Sequence, residues 1–327
     1  MISYPQNLIQ FMDQFQTEQQ CRQYLASVRW TDGFLCRTCG HNQYWLDKRN
    51  RFICASCHSH ISVLAGTVLQ DTKLHLRTWL TAMWLFATQK DGISAMSLRD
   101  NLGIKSYRSA WSLLHKLRVA MIRSDREKLS GVIEVDEEYI GDYQEGGKRG
   151  RGSENKYLVA VAVQLEMIET DKPHDSLRDY RLAKIRLKHI ENASKEELHA
   201  FVLENVAPGS ALWRDDWSGY RGIDDLGYKS VIYKATKADD ADEKLPHVHL
   251  AISLLKRWIL GTYQGRLDEF HLQAYLEEFT FRFNRKTSTH RGLLFYRLVQ
   301  GAMSTVPHPY EDLIGSKVEN SNADDIR

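Results

Sequence analysis

Two groups of side chains in this chain have the types and spacing to bind metal. Four of the five cysteines fall as Cys36-x2-Cys39 and Cys54-x2-Cys57, with 14 residues between the pairs, which is close to zinc-ribbon spacing. Each Cys-x2-Cys turn presents two sulfurs to one side, and two such turns complete a tetrahedral thiolate cage for structural Zn2+. Four thiolates leave no open position for water, so this zinc is not catalytic. The second group is acidic: Asp136 in VIEVDEEYIGDY and Asp215 in SALWRDDWSGY. Carboxylates at the ends of adjacent strands can hold two hard divalent cations, Mg2+ or Mn2+, about 4 Å apart, the arrangement of two-metal phosphoryl transfer. Taken singly, either aspartate reads as an ordinary solvated acid.

Several elements must position these groups. HNQYWLDKRNRFICAS, between the cysteine pairs, alternates apolar and polar residues around Lys48-Arg49-Asn50-Arg51 and reads as a β-hairpin; Gly40 suits the tight turn after the first pair. Cys21 stands alone in an amphipathic segment and reads as a small core residue. Leu76, Trp79, Leu80, Met83, Trp84 and Ala87 recur at helical spacing, and Asp91-Gly92 ends the helix. In ISAMSLRDNLGIKSYRSAWSLLHKLRVAM, Ser94 suits a cap, Gly103 a turn, and a second helix starts near Ser106, the spacing of a helix-turn-helix. Such a motif turns the start of its second helix toward base edges in double-stranded DNA, making Lys105, Ser106, Tyr107, Arg108 and Ser109 candidate readers.

After Ser130-Gly131 the text becomes strand-rich. The first strand buries Val132, Ile133 and Val135 and delivers Asp136 near its end. The strands YLVAVAVQ and DYRLAKIRLKHI follow, then a helix over Lys195–Asn205, the strand-turn carrying Asp215, and a short strand KSVIYK. Strands followed by mixed strand and helix give an α/β core with a mixed sheet. Lys148, Arg149 and Arg151 lie in a Gly-rich loop suited to following a phosphate track. In LDEFHLQAYLEEFTF the residues Leu267, Phe270, Leu272, Tyr275, Leu276 and Phe279 read as core, and Arg282, Asn284 and Arg285 as either DNA contacts or solvated surface.

The chain of 327 residues has room for two or three domains. Its 43% hydrophobic and 26% charged residues are those of a globular protein. No stretch approaches the roughly 18 consecutive apolar residues of a membrane span, and MISYPQNLIQFMDQFQ lacks the layout of a signal peptide, so a cytoplasmic, nucleoid-associated location without membrane contact is expected. A cytosolic setting also disfavours disulfides. Net charge is only +2, but residues 1–130 hold 17 Lys and Arg against 9 Asp and Glu, and the remainder 27 against 33. That split suits an N-terminal half facing phosphate and a C-terminal half using carboxylates elsewhere.

The succession of the two cysteine pairs, IEVDEEYIG, LWRDDWSGY, HVHLAISLLKRWILGTYQG and EEFTFRFNRK resembles bacterial insertion-sequence transposases that join a zinc ribbon to a DDE-type, RNase H-like core. The resemblance runs from about Trp30 to Lys286 and implies binding of terminal inverted repeats, metal-dependent cleavage and strand transfer, and a homo-oligomer that handles two DNA ends. It assigns the first two acids to Asp136 and Asp215, with Asp216 as a neighbour that leaves the choice of ligand open. In that family the third acid precedes the Lys of the helical motif by seven positions; counting back from Lys256 gives His249. The imidazole is softer than a carboxylate and carries no negative charge, which favours Mn2+ relative to Mg2+. An Asp136–Asp215–His249 triad with Lys256 on phosphate is therefore implied. Glu243 or Glu277 as the missing carboxylate, a nuclease that cuts without joining, and an inactive core serving as a DNA-binding regulator stay open. The expected order is a helical segment over 1–30, the ribbon over 31–68, the helix-turn-helix region over 69–129, the catalytic core over 130–290 and a partly disordered extension over 291–327.

Overall fold

The computed structural model describes residues 3–47, 51–122, 126–141, 156–168, 179–232, 245–263 and 267–315. In chain order the elements are α1 (Leu8–Gln14), α2 (Glu18–Arg29), β1 (Tyr44–Leu46), β2 (Phe52–Cys54), β3 (His60–Ile61), α3 (Leu76–Thr88), α4 (Ala95–Leu102), α5 (Tyr107–Met121), β4 (Val132–Gly141), β5 (Lys156–Met167), β6 (Tyr180–Ile190), α6 (Lys195–Asn205), β7 (Ala211–Arg214), β8 (Lys229–Ile232), α7 (Pro246–Tyr263), α8 (Glu269–Phe283), α9 (Arg291–Ser304) and α10 (Tyr310–Leu313). They form two compact units. The first comprises the chain up to Thr88, Ala95–Met121 and the chain from His290 onward; the second comprises Gln89–Ser94 and Ile122–Thr289.

In the first unit α3 buries the apolar stripe expected of it, Leu76, Trp79, Leu80, Met83, Trp84 and Ala87, and Cys21 is fully buried. The helix that closes this core comes from the far end of the chain. α9 packs on α2, α3 and α5, and its Phe295 ring lies 5.4 Å from Phe11 and 5.6 Å from Trp84. Residues 291–304, grouped by the sequence with a C-terminal extension, thus supply Leu294, Phe295, Leu298, Val299 and Ala302 to the interior.

Two glycines allow that packing. A Cβ on Gly301 would overlap the Ala120 carbonyl oxygen, and one on Gly292 that of Pro5. Alanine at an open helical glycine stabilises by about 0.5–1 kcal/mol, whereas overpacking costs about 1–3 kcal/mol. Gly301→Ala and Gly292→Ala should therefore lower the thermal midpoint of the first unit. Gly261→Ala in α7, where a new Cβ meets nothing within 4 Å, should raise that of the second. A gain in stability for either α9 variant would contradict this close approach.

The second unit is built on a five-stranded mixed sheet of order β6-β5-β4-β7-β8, as the strand-then-mixed pattern anticipates. β4, β5 and β6 form an antiparallel meander, and β7 and β8 run parallel to β4. Strand alternation sends Ile133, Val135, Leu158 and Ala160 to a core shared with Leu198, Phe201 and Val202 of α6. It sends Val159, Val161, Ile185 and Leu187 to the opposite core, filled by Val248, Ile252 and Leu255 of α7 and Leu272, Leu276 and Phe279 of α8. Phe270, expected in that core, is 58% exposed: it stands about 200° round α8 from Leu272, on the face turned away from the sheet.

α8 also covers the outer edge of β6 with side-chain amides. Asn284 accepts from the Ile185 amide at 2.7 Å and donates to the Ile185 carbonyl at 3.1 Å. Gln273 accepts from the His189 amide at 2.9 Å and donates to the Leu187 carbonyl at 3.3 Å. These groups stand in for a missing neighbouring strand and close the edge to pairing with another chain. Among the described residues no helix is long and apolar enough to cross a membrane.

Candidate metal centres and the elements that hold them

β1, β2 and β3 form the antiparallel ribbon, with Tyr44 opposite Cys54 and Leu46 opposite Phe52. Lys48, Arg49 and Asn50, in the expected hairpin turn, lie outside the described residues. The two cysteine knuckles share one hydrogen-bond pattern. The Gly40 amide donates to the Cys36 carbonyl at 2.8 Å and the His58 amide to the Cys54 carbonyl at 3.1 Å; the Cys36 amide returns to His41 and the Cys54 amide to Ser59. Gly40 and His58 both have positive φ, 74° and 57°, so only the first knuckle uses the residue for which that conformation is free of strain.

All four sulfurs lie within 4.8 Å of one another, with Cys36 and Cys57 3.6 Å apart and Cys39 and Cys54 3.5 Å apart. Tetrahedral zinc with bonds of about 2.3 Å needs sulfurs about 3.8 Å apart, so the cage fits that ion. Hydrogen bonds from the Ser59 side chain and backbone hold the Cys57 thiol down at about 6. At Cys39 a hydrogen bond from the His41 backbone, which lowers the thiol, is outweighed by desolvation and the neighbouring cysteines, which hold it up at about 11, so the metal itself completes the deprotonation of the cage. Trp30, Phe34 and Phe52 pack together beside the cage, with ring centroids 4.9–5.1 Å apart.

The acidic group is set by strand register. β4 pairs in parallel with β7 through Val132–Ala211, Ile133–Leu212 and Glu134–Trp213; two residues further along each chain are Asp136 and Asp215. The sequence reading ends β4 near Asp136, but the strand continues to Gly141, paired with β5 throughout. β7 is the strand that ends, at Arg214, so Asp136 becomes accessible where its parallel neighbour turns away. Asp215 is oriented by the Trp217 amide, which donates to its Oδ1 at 3.0 Å. Asp216 is exposed, and of these two neighbours it is Asp215 whose charge acts on Asp136. Burial pushes the Asp136 carboxyl up to about 7; one hydrogen bond from the Glu137 amide opposes this, and the charges of Asp215, Glu138 and Glu134 add to it.

Alternation along β4 gives Glu134, Asp136 and Glu138 one common face, and α7 meets each in turn. His247 Nδ1 is 2.7 Å from Glu134 Oε1, His249 Nδ1 is 3.9 Å from Asp136 Oδ2, and Lys256 Nζ is 3.2 Å from Glu138 Oε1. Asp136, Asp215 and His249 are thus gathered from three elements, while Lys256 lies two turns along α7 from His249. The i, i+2, i+4 spacing of the three acids already places them on one face, and Glu134 is the one for which the sequence suggests no role. Glu134 is fully buried and also accepts from the His247 and Val248 amides at 3.0 and 2.7 Å.

Other candidate residues have different employment. Glu277 is buried and pairs through both oxygens with Arg126 at 2.6 and 2.9 Å. Glu243 lies outside the described residues, as do Lys148, Arg149 and Arg151. Arg282 is not solvated surface: its side chain is held against Glu278 at 2.9 Å. Asn284 is taken by β6, and Arg285 lies over the Phe281 ring at 4.0 Å. At the start of α5, Lys105, Ser106, Tyr107, Arg108 and Ser109 are all exposed, with the Arg108 guanidinium 3.7 Å above the Tyr310 ring.

Comparison with known proteins finds a match over each of the two regions. Residues 16–60 match the transposase zinc-ribbon domain, and residues 128–284 match the ISXO2-like transposase domain. The chain is also similar to the uncharacterized protein in transposable element ISH50 of Halobacterium salinarum, with 21% identity over 278 residues that cover 82% of this chain and 91% of that protein. The thiolate cage falls in the first matched region, and Asp136, Asp215 and His249 fall in the second. By these two domains, the chain belongs to the insertion-sequence transposases that join a zinc ribbon to an ISXO2-like transposase domain.

Proposed function

We propose that this chain binds the terminal inverted repeats of its mobile element and carries out metal-dependent cleavage and strand transfer through an RNase H-like, DDE-type core whose third position is His249. The observation that carries this reading is the β4–β7 register, which leads Asp136 and Asp215 to the same end of two parallel neighbours, with His249 facing Asp136 from α7. Two carboxylates and an imidazole suit Mn2+ or Mg2+, and Asp136 is raised toward neutrality by burial, with smaller contributions from neighbouring carboxylate charges that a cation would offset. When bound, a pair of such cations activates the attacking oxygen and stabilises the leaving one.

The chain's own residues supply the rest. Asp136 and Asp215 provide the negative charge of the site, and His249 adds a neutral donor. Lys256, freed from Glu138, neutralises a phosphate oxygen. The ribbon and the exposed start of α5 hold duplex DNA, with Lys105 and Arg108 on phosphate or base edges beside Ser106 and Tyr107. Lys148, Arg149 and Arg151 follow the strand. Water first opens a phosphodiester at the element end, releasing a 3′-hydroxyl; that hydroxyl then attacks a phosphorus of target DNA, displacing another 3′-oxygen, with no covalent enzyme intermediate. Two ends must be joined in concert, which calls for a homo-oligomer.

Incubating the zinc-loaded protein with a duplex that carries the element's terminal repeat, in Mg2+ and in Mn2+, tests this. The expected products are a nick at the element end and a recombinant strand, with Mn2+ the better ion. Nicks without joined strands would indicate a nuclease; binding without either product would indicate a regulator.

A further inference from the structure

We infer that the buried Glu134–His247 pair is a positioning device that fixes the rotation of α7 and thereby sets His249 against Asp136. The inference rests on the reading of Asp136 and His249 as cation ligands and adds to it two residues that touch neither cation nor DNA.

α7 begins with Pro246, which has no amide hydrogen, and the His249 amide already donates to the Leu245 carbonyl at 3.1 Å. The unsatisfied donors of the first turn are therefore the amides of His247 and Val248. Both end on one oxygen of Glu134, at 3.0 and 2.7 Å. The other oxygen takes the His247 ring at 2.7 Å, and the far side of that ring reaches the Tyr180 carbonyl on β6 at 2.9 Å. Both ring partners are acceptors, so the imidazole satisfies them by donating from both nitrogens.

These contacts hold the helix start to β4 two residues before Asp136 and to β6, and they do so two residues before His249. Residues 247 and 249 are separated by about 200° around a helix, so fixing one ring inward determines where the other points. The imidazole of His249 stands about 6 Å from the helix axis, where a rotation of about 10° displaces it by about 1 Å. A misplacement of about that size can cost about a hundredfold in rate. Packing of Val248 and Ile252 gives α7 its place over the sheet, but apolar contacts are non-directional; the directional restraint is the carboxylate and its ring partner. A buried charge pair is a poor source of stability compared with apolar side chains of similar volume, which suits a role in geometry.

Calorimetric titration of Mn2+ into the zinc-loaded protein tests the device, with unfolding followed in parallel. Glu134→Ala should weaken Mn2+ binding by about tenfold, the lower end for supports of metal ligands. Glu134→Gln, which still accepts from the two amides, should fall between it and wild type and guards against a failure of Glu134→Ala to fold. In a His249→Ala background, Glu134→Ala or Glu134→Gln should have no further effect, because the loss passes through His249. An equal loss with and without His249 would overturn the inference, as would unchanged Mn2+ affinity in both Glu134 variants while Asp136→Asn abolishes binding. If Asp136→Asn leaves Mn2+ binding intact, the cation reading itself fails and this inference falls with it.

Discussion

Replacing Asp136 by Asn should abolish the proposed cleavage and joining while making the cation-free protein more stable at neutral pH and above. The two effects share one cause. The carboxyl of Asp136 is buried beside Asp215, Glu138 and Glu134 and titrates at about 7 in place of 3.8. An acid whose folded value lies above its unfolded one contributes stability fully at low pH, below the unfolded value, and loses it as pH rises through the folded one. The cation-free protein should therefore lose thermal stability between about pH 4 and 7, with Asp136→Asn flattening that decline and raising the midpoint at about pH 8 by about 3–5 °C. Mn2+ should restore the wild type and do little for the variant. Losing one cation ligand removes several kcal/mol of transition-state stabilisation, a fall of at least about a thousandfold in rate. Wild-type rates in Asp136→Asn, or a stability independent of pH over this range, would refute the arrangement.

Stripping zinc, or substituting Cys54→Ser, unfolds the ribbon and leaves the second unit folded. The ribbon's strands have three, three and two residues, and its buried side chains among the described residues are few: Phe34, Cys36, Phe52, Ile53 and Cys54, with Trp30, Cys57 and Ile61 partly buried beside them. So small a core does not stabilise a fold unaided, whereas structural zinc contributes about 10–16 kcal/mol. The second unit keeps its five-stranded sheet and both apolar cores without help from the cage. Metal analysis should give one zinc per chain. After chelation, proteolysis should accelerate around Arg51 and Phe52 while fragments spanning β4 to α8 persist. A ribbon that stays protected without zinc would contradict this dependence.

The order of elements was legible because each rests on a local rule: cysteine spacing for the knuckles, helical periodicity for α3, alternation for β5 and β6. The gathering of Asp136 and Asp215 came from strand-end position and resemblance, and the β4–β7 register supplies its geometry. Part of what escaped depends on non-local partners. Phe270 is apolar but falls about 200° round α8 from Leu272, on the outward face, which the helical period alone already implies. Asn284 looks like part of a basic surface until the β6 backbone is brought to it, whereas Arg282 and Arg285 have their partners, Glu278 and Phe281, four residues back on α8, where the sequence already carries them. His247 does turn away from the face of His249, as helical geometry requires; only the fold shows that a buried carboxylate waits there. Glu134 was hidden by its neighbours, since an acid in a carboxylate-rich strand reads as solvated unless the register of the helix above it is known.

The path of α9 sets an order of synthesis. A ribosome making this chain completes everything from β4 to α8 before it delivers Phe295 and Leu298, the residues that fill the interior formed by α2, α3 and α5. Segments generally fold as they emerge, yet here the earliest must wait for one of the latest. A nascent or prematurely terminated polypeptide therefore has no finished amino-terminal body, and a truncated product makes a poor competitor for whatever the full-length protein grips.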